Sequence, residues 1–129
     1  AGYVVSQYIS NPHLIDGYKY DLRIYVLVTC FDPLKIFLFR EGLVRFATQR
    51  YSNNPKHLDK RFVHLTNYSV NKKADDYVKS GTDGDGGEDA SKWNLYQLSK
   101  WFTRQGYDFN KIMSRIKDVA IKTCIAHEP

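Results

Sequence analysis

A strict two-residue alternation in residues 19–28, KYDLRIYVLV, limits what this chain can fold into. One set of alternate positions is apolar and the other is polar, which predicts a β-strand with one packed face. The apolar set comprises Tyr20, Leu22, Ile24, Val26 and Val28. The polar set comprises Lys19, Asp21, Arg23 and Tyr25. The charged members of the polar set, Lys19, Asp21 and Arg23, form a charged row that has two explanations. It either keeps a solvent-exposed sheet face soluble or binds a charged ligand.

The length and composition allow one domain with a substantial core. The 129 residues are 43% hydrophobic and 15% aromatic, which is not a disordered composition. The net charge of +5 favours an anionic partner, such as nucleotide phosphate, nucleic acid, an anionic membrane surface or an acidic polypeptide. Because the basic residues are scattered, a dedicated nucleic-acid arm is disfavoured. No apolar run reaches membrane-spanning length and no signal peptide is recognisable.

The two cysteines favour free thiols. Cys30 and Cys124 lie far apart in sequence and have no His or Cys at metal-ligand spacing. A buried thiol in a reducing compartment is therefore a better interpretation than a disulfide.

The first half of the chain is rich in strand patterns separated by turn residues. The predicted strands cover residues 3–10, 19–28, 34–39 and 43–48, and residues 62–70 return to strand-like sequence at their start. Phe31-Asp32-Pro33 predicts a turn, and Glu41-Gly42 predicts a tight connection between two strands. These patterns predict a β-meander.

The second half predicts a loop and then two helices. Residues 81–91, GTDGDGGEDAS, are glycine-rich and anionic, which favours a flexible linker over a substrate-facing insertion. Ser91 is the candidate N-cap of a first helix that carries Trp93 and ends near Gly106. Asp108 or Asn110 begins a second helix with one apolar stripe, predicted to be buried. The stripe comprises Phe109, Ile112, Met113, Ile116, Val119, Ala120 and Thr123. The fold class is therefore α+β.

Two further features suggest an anion site. Arg45 stands in the otherwise apolar strand LVRFAT, one strand over from the charged row. A half-buried guanidinium needs an anion, which is either a structural Asp or Glu or a ligand. Residues 64–72, HLTNYSVNK, gather hydroxyls, an amide, an imidazole and a cation, which serve either a turn or the oxygens of a phosphorylated or carboxylate ligand.

Three of these segments together resemble the tubulin–tyrosine ligase-like family. They are YISNPHLIDGYKYDLRIYVLVT, then DPLKIFLFREGLVRFAT, then HLTNYSVNK, in this order and spacing. The resemblance is strong over residues 4–72 and weaker through the two helices. It implies an ATP-grasp fold and an amino-acid ligase that acts on tubulin tails. The third segment is similar to that of the glutamate ligases, which favours a tubulin polyglutamylase.

The resemblance also implies roles for individual residues. The ATP-binding positions would be Ser6, Gln7, Tyr8, Ile9, Lys19, Asp21, Thr66 and Asn67. The glutamate-binding positions would be Arg45, Tyr68, Ser69 and Lys72. Arg23 matches a catalytic position near the transferred phosphate, and His64 would only shape the turn. On this basis the charged row of residues 19–23 faces ATP. Many relatives have Gln at the position of Ser6, where this chain departs from the family.

The implied reaction joins free glutamate to glutamate on tubulin C-terminal tails through an acyl phosphate, with ATP and Mg²⁺. The implied partners are tubulin tails, microtubules and free glutamate, without nucleic acid or membrane. The implied location is the cytoplasmic cytoskeleton, extending to the cilium or basal body. A full ligase of this family needs an N-terminal domain, an upstream lysine and phosphate loop, and downstream Mg²⁺ ligands. We therefore expect residues 1–129 to be part of a catalytic domain, without metal ligands of their own and inactive alone.

Three alternatives remain at this point. A glycylase of the same family would use glycine in place of glutamate. A microtubule-binding module would keep the fold without catalysis. A nucleic-acid binder is supported only by the basic charge and the aromatic content.

Overall fold

The computed structural model describes residues 2–77 and 91–128, and these residues form a mixed α+β structure. Antiparallel strands form a sheet in the order β1-β2-β3-β4. The strands are β1 (Leu14–Ile15), β2 (Tyr18–Phe31), β3 (Leu34–Phe46) and β4 (Lys92–Asn94). The helices are α1 (Arg61–His64), α2 (Tyr68–Asn71), α3 (Leu95–Arg104) and α4 (Phe109–Ala126), with a 3₁₀ turn at Pro55–His57.

The apolar face of β2 packs on the core, as the alternation predicted, but only over part of the strand. The buried cluster comprises Ile15, Val44, Phe46, Trp93, Leu95, Leu98 and Phe102. Tyr20, Leu22 and Ile24 pack against this cluster. Val26 is instead exposed. The core therefore lies between the first half of the β2–β3 hairpin and α3, where both elements contribute apolar side chains.

Three predicted strands are wrong in their type or their boundaries. Residues 3–10 form no strand and are exposed, because no described strand lies beside them to complete a ladder. Residues 34–39 and 43–46 are not separated by a turn, since they are parts of one strand, β3, which ends before residues 47–48. The ladder is irregular between Ile24 and Val26, where three residues of β3 face one of β2. Glu41-Gly42 therefore belongs to a β-bulge region.

The helix boundaries also differ from the sequence prediction. Residues 61–64 are helical rather than extended. The first of the two closing helices is capped by Asn94 instead of Ser91, since residues 92–94 pair with β3 before the helix begins. Asn94 and Gln97 form a reciprocal capping box, which satisfies two backbone N–H groups at this end. The predicted end near Gly106 is confirmed, because Gly106 has a φ of 79° just after the helix.

The helix α4 begins as predicted, but its stripe is not buried. Asp108 accepts a hydrogen bond from the backbone N–H of Lys111 and so caps the helix. Phe109, Ile112 and Met113 pack on the core, whereas Val119 is exposed. Cys30 and Cys124 are free thiols, as predicted, and are half-buried rather than buried. The predicted 81–91 loop lies outside the described residues except at Ser91. Among the helices described, none is long and apolar enough to cross a membrane.

Candidate functional site

Antiparallel pairing places three charged residues in one row across the sheet. Asp21 pairs with Arg45 across β2 and β3, and Arg45 pairs with Lys92 across β3 and β4. Directly opposite residues share a sheet face, and Lys19 and Arg23 share it because each is two positions from Asp21. These residues form the charged face of the sheet, which points away from the core. It is rich in cations and contains the Asp21 carboxylate.

The centre of this face is a two-point ion pair. The Arg45 Nε donates to Asp21 Oδ1 at 2.8 Å, and its Nη2 donates to Oδ2. The Arg45 side chain is only 15% exposed and Asp21 is 38% exposed. The hydrogen bond to Asp21 raises the pKa of Arg45 above its already high value, so this guanidinium stays charged. Of the two anions considered for Arg45, the structure thus supplies a structural carboxylate.

Asp21 leaves part of the guanidinium unused. Arg45 has five N–H donors, and Asp21 engages the edge formed by Nε and Nη2. Within residues 2–77 and 91–128, no acceptor bonds to Nη1. A planar guanidinium held at one edge can accept a second carboxylate at the other. The ion pair therefore orients Arg45 and does not exclude a ligand.

At one end of the charged face, Lys19 begins a chain of side-chain hydrogen bonds. Lys19 Nζ donates to the Tyr8 hydroxyl at 3.2 Å, and the hydroxyl lies 2.8 Å from His64 Nδ1. His64 Nε2 faces the carbonyl oxygen of His57 at 2.9 Å, so Nε2 carries the proton and Nδ1 accepts from Tyr8. These hydrogen bonds connect Tyr8 in the N-terminal segment to Lys19 of β2 and to His64 of α1. The imidazole of His64 is buried.

A buried amide fixes the HLTNYSVNK segment against the sheet. Asn71 is 1% exposed, and its Oδ1 accepts from the backbone N–H and the hydroxyl of Thr48, each at 3.0 Å. Its Nδ2 donates to the carbonyl oxygens of Leu65 and Asn67 at 2.7 and 3.0 Å. The amide oxygen thus accepts two hydrogen bonds and the amide nitrogen donates two, so every hydrogen-bonding position of the side chain is used. Thr48 lies two residues after the end of β3, so Asn71 sets how the segment approaches the charged face.

At the other end of the face, Tyr68 lies among cations. The Lys92 ammonium is 4.1 Å from the centre of the Tyr68 ring, and the Lys72 ammonium is 5.5 Å from it. Both distances are within the range of a cation–π contact. The two ends of the 64–72 segment therefore lie near opposite ends of the charged face, with the Asp21–Arg45 pair between them.

The structure brings six of the thirteen predicted site residues to one region. Tyr8 and Lys19 meet at one end, Asp21 and Arg45 form the centre, and Tyr68 and Lys72 lie at the other end. Of the remaining predicted residues, Arg23 lies on the same sheet face as Asp21. Thr66 is buried, whereas Ser6, Gln7, Ile9, Arg23, Asn67 and Ser69 are exposed.

Sequence reasoning missed three residues that shape this region. Asn71 stands inside the HLTNYSVNK motif, and its burial has no signal in the sequence. His64 was given only a turn role, although its imidazole joins three segments. Lys92 stands outside every motif and comes to Arg45 only through the strand pairing. Among residues 2–77 and 91–128, no group of three or more His, Cys, Asp or Glu side chains is arranged for a metal ion.

Comparison with known proteins decides the family. The model of the tubulin-tyrosine ligase family matches residues 1–129. The chain belongs to the tubulin-tyrosine ligase family. It is 47% identical over 125 residues to the tubulin polyglutamylase TTLL5 of Homo sapiens, covering 97% of this chain and 10% of that protein. It is 47% identical over 126 residues to the tubulin monoglutamylase TTLL4 of Mus musculus, covering 98% of this chain and 10% of that protein.

A third relative extends the same pattern. The tubulin polyglutamylase TTLL6 of Mus musculus is 46% identical over 123 residues, covering 95% of this chain and 14% of that protein. The chain thus spans between a tenth and a seventh of the length of these curated relatives. Within the tubulin-tyrosine ligase family, the names of these three relatives agree with the predicted resemblance to glutamate ligases.

Proposed function

We propose that the full-length protein is an ATP-dependent ligase that adds glutamate to tubulin C-terminal tails, and that residues 1–129 are part of its ATP-grasp catalytic domain. The family membership and the names of the relatives support the ligase class and the tubulin substrate. The observation that carries the proposal is Arg45, which Asp21 holds by Nε and Nη2 while Nη1 has no acceptor among the described residues and can bind a carboxylate.

The cationic face suits anionic substrates. When bound, ATP with Mg²⁺ would supply the terminal phosphoryl group that converts a tail carboxylate into an acyl phosphate, with ADP as the leaving group. Lys19 and Arg23 supply positive charge beside Asp21, where phosphate oxygens are stabilised. The metal ligands are expected in other parts of the protein. Tyr8, Asp21, Thr66 and Asn67 border the proposed nucleotide side, together with Ser6, Gln7 and Ile9.

The bond-forming step uses the glutamate side of the face. Arg45 holds the carboxylate of the incoming glutamate, and Tyr68, Ser69 and Lys72 border it. The amine of that glutamate attacks the carbonyl carbon of the acyl phosphate, loses a proton, and expels inorganic phosphate, which leaves an amide bond. Holding the two reactants on one rigid sheet face favours this attack over hydrolysis. The net positive charge also attracts the acidic tail, with strong salt dependence. The proposed location is the cytoskeleton.

Intact mass spectrometry of tubulin tails tests the proposal. The full-length protein is incubated with tubulin, Mg·ATP and an equal mixture of glutamate, glycine and tyrosine, with a parallel reaction that lacks ATP. We expect glutamate-sized additions that require ATP. Arg45→Ala should abolish them, whereas Arg40→Ala, which removes an exposed arginine from the same strand, should leave them unchanged.

Other outcomes select the alternatives. Glycine additions would assign a glycylase, and tyrosine additions would assign a tyrosine ligase. Tubulin binding without any addition would indicate a microtubule-binding module, and competition for tubulin by RNA would reopen a nucleic-acid function. Normal glutamate addition by Arg45→Ala would overturn the role of Arg45.

A further inference from the structure

Lys19 is held on the charged face by a neutral side chain. The Asp21 carboxylate binds Arg45 with both of its oxygens. Lys19 Nζ instead donates to the Tyr8 hydroxyl at 3.2 Å and lies 4.6 Å from the centre of the Tyr8 ring. In the part of the chain that the structure describes, no carboxylate forms an ion pair with Lys19. Tyr8 therefore holds the ammonium group without neutralising its charge, which leaves that charge available to an anion.

The position of Tyr8 depends on His64. Tyr8 is 47% exposed and belongs to residues 2–10, which form no strand, so no ladder of backbone hydrogen bonds fixes it. Its hydroxyl lies 2.8 Å from Nδ1 of His64, which is buried. The imidazole is itself fixed, because its Nε2 donates to the carbonyl oxygen of His57 and the Tyr51 ring packs edge-on against it at 5.6 Å. A rigid imidazole thus sets the place of an exposed phenol.

The hydrogen bonds of this chain all run in one direction. Since Nε2 of His64 carries the proton, Nδ1 can only accept, and the Tyr8 hydroxyl donates to it. The lone pairs of the Tyr8 oxygen are then directed to the Lys19 ammonium. Hydrogen bonds aligned in this way polarise one another, so the bond to His64 makes the Tyr8 oxygen a stronger acceptor. His64 therefore acts on Lys19 through a single hydroxyl group.

We propose that His64 is a positioning residue, which holds the Lys19 ammonium, through the Tyr8 hydroxyl, where it binds a phosphate group of the nucleotide. This inference rests on the proposed function, and it adds a residue that does not touch the nucleotide itself. A positioning residue of this kind affects one substrate only. The glutamate side of the charged face lies beyond the Asp21–Arg45 pair and makes no contact with this chain of hydrogen bonds in the described structure.

Steady-state kinetics of the full-length protein tests this role, with ATP and glutamate varied separately. Tyr8→Phe removes only the hydroxyl, and His64→Phe keeps a ring beside Tyr51 but removes the acceptor. We expect each variant to raise the KM for ATP roughly fivefold, the effect of losing one hydrogen bond that orients a charged group, with the KM for glutamate unchanged. The double variant should be no worse than either single variant, because both act through the same hydroxyl. His64→Asn, which retains an acceptor near the position of Nδ1, should recover part of the loss.

Tyr20→Phe is the matched control. The Tyr20 hydroxyl lies 3.0 Å from His13 Nδ1, and Tyr20 packs on the core side of β2, so this variant breaks an equivalent Tyr–His hydrogen bond away from the charged face. Its KM for ATP should equal that of the wild type. An unchanged KM for ATP in Tyr8→Phe, or an equal rise in both KM values, would overturn the inference while leaving the proposed function in place. So would a double variant whose KM increase is the product of the two single increases. Absence of ATP-dependent glutamate ligation by the wild type would overturn both.

Discussion

The two halves of the β2–β3 hairpin have similar apolar content but very different surroundings. In the proximal half, residues 20–24 pair with residues 42–46, and the apolar side chains pack on Trp93, Leu98 and their neighbours. In the distal half, which comprises residues 25–31 and 34–39, residues 26–31 pair with residues 34–38, and large apolar side chains are exposed. They are Tyr25, Val26, Leu27, Phe31, Phe37 and Phe39. Strand alternation alone therefore does not determine burial, because burial requires another element to cover the face.

The face that carries charges in the proximal half becomes apolar in the distal half. Leu27 and Phe37 are direct cross-strand partners. Together with Tyr25, Val26, Leu38 and Phe39 they line an open apolar groove. The bulge region around Glu41-Gly42 separates this groove from the Asp21–Arg45 pair. One hairpin thus joins a polar site, held in place by packing and hydrogen bonds, to an uncovered apolar surface.

The largest expected effect comes from removing a side chain in the proximal packing. Leu98 is fully buried against β3, so Leu98→Ala should lower the free energy of unfolding by about 2 to 5 kcal/mol. Leu27→Ala removes the same atoms from a position that is 61% exposed. It should change the free energy of unfolding by less than about 0.5 kcal/mol. Chemical denaturation measures both variants. Equal losses would show that the distal half is packed in the folded protein.

The next effect concerns the amide that holds the 64–72 segment to the end of β3. Asn71→Ala removes four hydrogen bonds at a buried position, and it takes from the Thr48 backbone N–H and the Leu65 carbonyl oxygen their side-chain partner. We expect a loss of about 2 to 3 kcal/mol in the free energy of unfolding. Asn67→Ala is the matched control, since it truncates an exposed amide four residues earlier. Thermal and chemical unfolding compare the two, and similar losses would contradict the anchoring role of Asn71.

The boundary between the two halves can be tested at Gly42. A Cβ at this position would lie 2.6 Å from the backbone carbonyl oxygen of Arg23 and 3.2 Å from Leu95. Gly42→Ala must therefore shift β3 against β2, at a cost of about 1 to 3 kcal/mol. Gly2→Ala, where a Cβ meets nothing within 4 Å, is the control. Hydrogen exchange should show faster opening of residues 20–24. Unchanged exchange would mean that the bulge absorbs the methyl group.

The smallest effect is a change in the alkaline stability of the proximal half. Burial, with a smaller contribution from Tyr107, raises the pKa of the Tyr20 hydroxyl from 10.0 to about 12. Since the folded state favours the neutral phenol, this contribution to stability is complete below pH 10 and is lost as the pH rises to about 12. Tyr20→Phe should remove this part of the loss of stability at alkaline pH. A decline of the same steepness in wild type and variant, measured by denaturation between these pH values, would refute it.

The sequence alone determined those features that depend on local chemistry. The alternation of residues 19–24 specified a strand and its two faces, because side chains of an extended chain point to opposite sides. Asp108 began α4 and Gly106 ended the preceding helix, because each satisfies or permits the backbone geometry of a helix end. The motifs of residues 4–72 also identified the family, which the comparison confirmed.

Only the tertiary structure decided which residues share the charged face and which apolar faces are covered. The strand pairing brought Asp21 to Arg45 and Arg45 to Lys92, although 24 residues separate the first two. The fold likewise buried Asn71 against Thr48 and left the distal half of the hairpin exposed. Residues 3–10 had strand-like composition and formed no strand. The physical reason is the same in each case, since pairing and burial depend on neighbours that are distant in sequence.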